Sequence, residues 1–452
     1  MEGNSEHEGG GPDVADAASA PVRRLHPGLG DLAGPPSFWH FHYLYHQALR
    51  IIRQITRPRR ESESRLQRGL LILGILLISL NLRPALASVG PLVESIRGAT
   101  GLSNAALGLL TTLPLLAFGI VSALTPLATR RLGTEGALAA ALSLVAVGTL
   151  ARAAPSTAPL FGGTVLFGVG IALGNVLLPS LVKRDFPEHS GVMTSLYSSG
   201  IGAGAAIGAG TTVPLAGALG WRGALGAWAV PAVAALLVWL PQLRAGAPAR
   251  ASYNIGDSLR ALARSSLAWQ VALFMGLQSL TFYIALAWLP GFLQARGFDP
   301  AAAGGLLALS QVMGVAGSAV VPTWAARRAD QRRTICLLAL VEGTALAGLA
   351  WPGAPLASLW VSVLGFVLGG TFGLALLLLV LRAADAETAT ELSGMAQSVG
   401  YLVAAAGPAV FGLLHDLTGG WAAPLALLAF ALVAKTAVGL RAGRPGQIRP
   451  GR

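Results

Sequence analysis

A single cysteine, Cys336, excludes an intrachain disulfide framework, a Cys-x-x-Cys redox pair and a cysteine-built zinc site, so Cys336 reads as a small packing residue. Charge is also scarce: Asp, Glu, Lys and Arg together make up 12% of the 452 residues, far below the share in soluble domains. Histidine offers little more, because His7, His26, His40, His42 and His46 all precede the first long apolar stretch, leaving His189 and His415 beside later ones. Catalysis inside a membrane needs clustered nucleophiles or metal ligands at depth, so no enzyme activity, cofactor or metal is expected. The first 65 or so residues contain no apolar core ahead of a small-residue cleavage site, so no cleavable signal peptide is expected either.

What the chain has in excess is apolar length. Hydrophobic residues make up 54% of it and the mean hydropathy is +0.63, which predicts an all-α polytopic membrane protein. A net charge of +12 raises the question of nucleic acid. The cations, however, fall in short loops between apolar stretches rather than on one face, so the expected partner is the bilayer. Stretches long enough to cross about 30 Å of hydrocarbon run at 70–94, 105–128, 136–153, 159–182, 191–218 and 222–243, then at 266–292, 302–325, 334–351, 355–381, 392–417 and 421–440. Helices satisfy their own backbone in lipid, so twelve transmembrane helices are predicted.

Loop charge orients them. Arg130, Arg131, Lys183, Arg184, Arg244, Arg250, Arg260, Arg264, Arg327, Arg328, Arg332 and Arg333 fall on one side, against Arg97, Arg152, Arg222 and Arg296 on the other. The positive-inside rule then puts both termini in the cytoplasm of a plasma-membrane, multi-pass protein. The expected division is a polar, disordered tail at 1–68, a six-helix bundle at 69–243, a cytoplasmic linker at 244–265, a second six-helix bundle at 266–441 and a short tail at 442–452. Within the first tail, Trp39, Phe41, Tyr43, Tyr45, Arg50 and Arg53 between Phe38 and Ile55 offer an alternative, an interfacial amphipathic helix.

The two sixes repeat each other. Ser79-Leu80 and Ala85-Leu86-Ala87 return as Ser279-Leu280 and Ala285-Leu286-Ala287, an offset of 200 residues that also relates Gly220-Trp221 to Gly420-Trp421. Ser190-Gly191 corresponds to Ser393-Gly394, and Pro126 with Arg130-Arg131 to Pro322 with Arg327-Arg328. Parallel six-helix repeats are the architecture of secondary transporters with a site between the halves. Gly200, Gly204 and Gly208 recur every fourth residue on the fifth stretch, which predicts a close helix contact there.

The first stretch contains Asn81-Leu82-Arg83-Pro84. A charge near the bilayer centre costs roughly 2.5–3.5 kcal/mol, so such a residue ordinarily faces a bundle interior, a cavity or a ligand. Arg83 is the leading candidate for anion recognition, the alternatives being snorkelling to the interface or a structural pair with Glu94. Around it are expected Asn81, Asn175, Tyr197, Gln278, Tyr283, Gln311, Gln397 and Tyr401 as hydrogen-bonding groups, with Tyr283 placed opposite Arg83 by the offset of 200. Each alone is as consistent with a bridge between helices. Glu342 is the candidate for proton coupling, with a protonated or structurally paired state as the alternative.

Asn81 through Leu92, then Gly108-Leu109-Leu110-Thr111-Thr112-Leu113-Pro114, Gly174-Asn175-Val176-Leu177-Leu178-Pro179 and Lys183-Arg184-Asp185-Phe186-Pro187 together resemble the cyanate and 2-nitroimidazole transporter branch of the major facilitator superfamily. The resemblance covers essentially everything after residue 68. It implies the major facilitator fold and a gradient-driven carrier of a small anionic or compact polar solute working by alternating access, with Arg130, Arg131, Arg327 and Arg328 as gating residues. Two departures stand out. The loop Leu127–Gly133 keeps the family's arginine and final glycine but has no acid, and Pro214 lies apart from the glycine row. The rival readings are a proton-coupled multidrug exporter of the same fold, which would favour an acidic or aromatic cavity, and a membrane sensor, which would need an output domain. The expected partners are a small solute and lipid, not nucleic acid, and the chain is expected to act as a monomer.

Overall fold

The computed structural model describes residues 62–245, 255–351 and 356–449; the expected tail at 1–61, with its Phe38–Ile55 segment, lies outside them. Ten helical runs among the described residues have the length and composition of membrane spans. Two of these, Thr112–Ala151 and Pro187–Gly226, are 40 residues long. At 1.5 Å per residue that is about 60 Å, twice a bilayer core, so each must turn back. The turns are glycines. Gly133 (φ 70°, ψ 171°) divides the run Asn104–Ala151 into the second and third crossings, and Gly220 (φ 70°, ψ 167°) ends the fifth inside Ser190–Gly226. Positive φ is free of strain only without a Cβ, which is why glycine occupies both corners. The sixth crossing is completed by Ala229–Trp239.

The remaining crossings are single helices: Thr157–Asp185 for the fourth, then Ser266–Gln294, Pro300–Ala326, Arg332–Ala350, Ala357–Arg382, Ala386–Thr418 and Ala422–Ala442 for the seventh to twelfth. Caps mark their ends. Ser103, Ser265 and Asp385 accept from the backbone N–H three residues on, while Gly101 and Gly419 close helices in the left-handed conformation. The chain is thus an all-α membrane protein, with twelve helical crossings among the described residues. The fourth and tenth crossings are the most enclosed, with 83% and 78% of their spans buried. Between the sixes, where a polar linker was expected, Ile255–Arg264 is itself a helix.

The first crossing is interrupted. Ser62–Asn81 ends just before Arg83 (φ −130°, ψ −26°), after which Pro84–Ala87, Gly90–Leu92 and Val93–Thr100 continue in short pieces. Pro84 has no N–H to give, and the residue before a proline is pushed out of helical geometry, so the break falls at Leu82–Arg83. Cys336 does not pack inside; it is exposed.

Candidate functional site

The interruption puts Arg83 between the two six-helix halves. Its Nη1 donates to the Tyr283 hydroxyl of the seventh crossing at 2.9 Å and its Nη2 to the Tyr401 hydroxyl of the eleventh at 3.3 Å. The ring of Phe118, from the second crossing, lies 6.0 Å from the guanidinium and 5.1 Å from the Tyr401 ring. Arg83 and Tyr283 are half-exposed, whereas Tyr401 and Phe118 are buried. The cation therefore rests on neutral phenols rather than on a carboxylate. Each phenol oxygen accepts from the guanidinium, and its own proton remains to be donated.

Below this cluster, one turn along the eleventh crossing from Tyr401, Gln397 donates through Nε2 to the backbone carbonyl of Asn175 at 2.8 Å and to Ser393 Oγ at 3.0 Å. The Asn175 Nδ2 and Gln397 Oε1 atoms are buried without partners, one a donor and one an acceptor, on opposite halves. Buried polar atoms ordinarily find partners, so these two are exceptions to that rule. Tyr197 is buried on the fifth crossing.

Three expected site residues point elsewhere. Asn81 donates to the carbonyls of Leu77 (2.8 Å) and Pro231 (3.1 Å), tying the end of the first helix to the sixth crossing. Gln278 turns to Ser279 Oγ (2.7 Å) and Met275 Sδ (3.4 Å). Gln311 lines a cavity of about 20 Å³ with Phe282 and Gly314 inside the second half. Glu342 is taken up by a buried pair: its two oxygens lie 2.7 and 2.6 Å from Lys435 Nζ of the twelfth crossing, both side chains being buried. That nitrogen also reaches Thr281 Oγ1 at 3.4 Å.

The glycine row of the fifth crossing packs against the break itself. A Cβ on Gly200 would sit 3.2 Å from Ser79 Cβ, one on Gly204 3.1 Å from the Leu80 carbonyl carbon, and one on Gly208 2.6 Å from Pro84 Cα. Only bare backbone fits there. Arg152 holds the other side. It was expected in a loop, but it is buried at the end of the third crossing, donates from Nη1 to the Ala85 carbonyl at 2.8 Å and lies 4.8 Å from the Phe167 ring. A cation there complements the carbonyl end of Pro84–Ala87.

Toward the end of the molecule that carries Lys183, Arg184, Arg327 and Arg328, the basic end, the halves meet along two related seams. Gly191 fits against Pro322 and Thr323 of the eighth crossing, and Gly394 against Ser122 and Pro126 of the second. Ser195 Oγ and Thr323 Oγ1 are 2.8 Å apart. Ser180 Oγ donates to the Ala386 carbonyl at 2.7 Å and accepts from Thr390 Oγ1 at 2.7 Å. Ser398 bonds the Gly119 carbonyl. Of the four expected gating residues, Arg131, Arg327 and Arg328 are exposed and Arg130 is half-buried at this end. The acid missing from Leu127–Gly133 is supplied two residues on: Glu135 pairs with Arg184 at 2.7 Å, within the first half.

Residues 71–408 match the model of the Major Facilitator Superfamily. The chain is 44% identical over 383 residues to the 2-nitroimidazole transporter of Escherichia coli strain K12, covering 84% of this chain and 97% of that protein. It is 44% identical over 377 residues to the uncharacterized transporter YycB of Bacillus subtilis strain 168, covering 83% and 93%, and 31% identical over 373 residues to the cyanate transport protein CynX of E. coli K12, covering 82% and 96%. Among solved structures, the E. coli fucose:proton symporter FucP superposes with a TM-score of 0.67 at 14% identity, covering 83% of this chain and 99% of that one.

Proposed function

Because the chain belongs to the major facilitator superfamily and is a multi-pass membrane transporter of the 2-nitroimidazole and cyanate transporter branch, we propose that it carries a compact solute with negative oxygens, bound at Arg83. The observation that carries this reading is the pairing of a central guanidinium with two tyrosine hydroxyls from the other half. A solute oxyanion meeting Arg83 replaces neutral phenol oxygens with a charge-assisted, bidentate partner, and it also receives the phenol protons. Asn175 and Gln397, each with an unpartnered buried atom, are suited to a second polar group on the same solute. The relatives named for 2-nitroimidazole and cyanate are named for compounds of this kind, a nitro-bearing heterocycle and a small linear anion. A cationic drug would meet a permanent positive charge, which disfavours the exporter reading.

Under the positive-inside rule the basic end faces the cytoplasm, and the seams at Gly191–Pro322 and Gly394–Pro126 then lie on that side. Saturable uptake of labelled cyanate and 2-nitroimidazole into proteoliposomes is the test. Arg83→Ala is expected to lower uptake by roughly a hundredfold, on the scale of about 3 kcal/mol for a lost charge-assisted contact, and Arg83→Lys to retain part of it. Undiminished uptake by the alanine variant would remove Arg83 from the site.

A further inference from the structure

We propose that the basic end of the second half holds another anion site, built for a phosphate group, in the cleft between the loop after the eighth crossing and the folded-back C-terminal segment. The cleft has a volume of about 600 Å³ and is lined by Arg327, Arg328, Gln331, Arg382, Gln447 and Arg449. Ligand sites commonly span roughly 300–1,000 Å³. Arg327, Arg328 and Arg449 thus line it from two separate parts of the chain, while the buried Arg382 guanidinium is committed to the Ala442 and Gly443 carbonyls and to Gln331.

The convergence is built by the backbone. Residues 442–452 were expected as a plain tail, yet Ile448 N–H donates to the Arg382 carbonyl at 2.6 Å and its carbonyl accepts from Ala384 N–H at 3.1 Å, in a parallel bridge. Arg382 clamps the same segment from beneath, with Nε on the Ala442 carbonyl at 2.8 Å and Nη2 on the Gly443 carbonyl at 3.0 Å. Gln331 N–H adds a bond to Gly443 at 3.0 Å. Ile448 is buried and Arg449 beside it exposed, so the bridge fixes Arg449 on the cleft opposite the exposed Arg327 and Arg328.

Among the described residues, no acid lines the cleft. The acid next to it in sequence, Asp330, is engaged by Arg332 at 2.6 Å, and that guanidinium holds its carboxyl down to about 2. Asp330 also acts on Arg382, but the exposed Arg327, Arg328 and Arg449 line the cleft, and planar guanidinium forks match phosphate oxygens. The cleft also sits at helix ends, where phospholipid headgroups lie and basic pockets take anionic lipid. The shared chemistry is a phosphate group, supplied by an anionic lipid or by a soluble phosphate.

The full chain, purified and delipidated in detergent, can be titrated with phosphatidylglycerol, phosphatidylcholine and inorganic phosphate, with retention read by native mass spectrometry. The wild type is expected to retain phosphatidylglycerol saturably, and Arg327→Gln/Arg449→Gln to need about tenfold more lipid for half-saturation. Arg449→Gln alone, at an exposed position, gives a weaker shift and serves if the double variant does not fold. Displacement of the lipid by inorganic phosphate would assign the site to soluble phosphates, and persistence in its presence to lipid. Equal retention of phosphatidylcholine, or undiminished binding by both variants, would overturn the proposal.

Discussion

At Arg83 the backbone leaves helical geometry, and the side chain that results is satisfied by groups 200 and 318 residues away. Tyr283 and Tyr401 each supply one acceptor to the guanidinium and keep a hydroxyl proton of their own. Tyr283→Phe and Tyr401→Phe are each expected to raise the half-saturation concentration for transport about tenfold, in keeping with roughly 1–1.5 kcal/mol per hydrogen bond, while shifting thermal unfolding little. If both variants transport with unaltered half-saturation, the phenols are not part of the site. Arg83 and Tyr283 were readable in the sequence because a charge among apolar residues is conspicuous and the internal repeat lends Tyr283 its register. Phe118 carried no such mark, since an aromatic in an apolar span is ordinary. Arg152 does stand just past the end of its helix, as a loop residue would, but its burial carried no mark in the sequence. That its guanidinium reaches back to the Ala85 carbonyl is a tertiary fact without a local signal.

The break in the first crossing is held as a unit between the fifth crossing and Arg152. Gly208 tests this arrangement at the break itself, because an added methyl would lie 2.6 Å from Pro84 Cα and 2.8 Å from its carbonyl oxygen. Both are backbone atoms that cannot rotate aside. Gly208→Ala is expected to destabilise the protein by about 1–3 kcal/mol and to reduce transport further than the lost stability explains, since Pro84 carries Arg83 with it. Gly210→Ala, where nothing lies within 4 Å, is the control and is expected to transport normally in the same uptake and thermal-unfolding assays. Equal behaviour of the two variants would show that the glycine row does not set the break. The four-residue period announced a close contact; only the packed bundle identified Ser79, Leu80 and Pro84 as its other face. The Glu342–Lys435 pair is similar. Glu342 was conspicuous as an acid within a span, but its partner 93 residues later could not be read from helical periodicity. Removing one partner of such a pair typically costs about 3–5 kcal/mol, because the other charge is left buried.

At the scale of the whole molecule, the repeated Ser-Gly and Pro elements become the two seams on which the halves close, Gly191 on Pro322 and Gly394 on Pro126 with Ser122. If turnover requires the basic end to open, a covalent tie across one seam stops it. In a Cys336→Ser background, Ser195→Cys with Thr323→Cys replaces two hydroxyls whose oxygens are 2.8 Å apart, and oxidation is expected to abolish uptake reversibly, with activity regained on reduction. Full uptake with the cross-link complete would mean that this seam stays shut throughout the cycle. The number of crossings, the doubling of the bundle and the presence of an intramembrane cation were determined by sequence alone, because apolar run length, internal repetition and the cost of burying charge are properties of the chain itself. The guanidinium's neutral partners, the closing of the seams and the docking of the tail over Arg382 were decided only in the folded protein, because each depends on side chains and carbonyls brought together across dozens to hundreds of residues, where local periodicity carries no information.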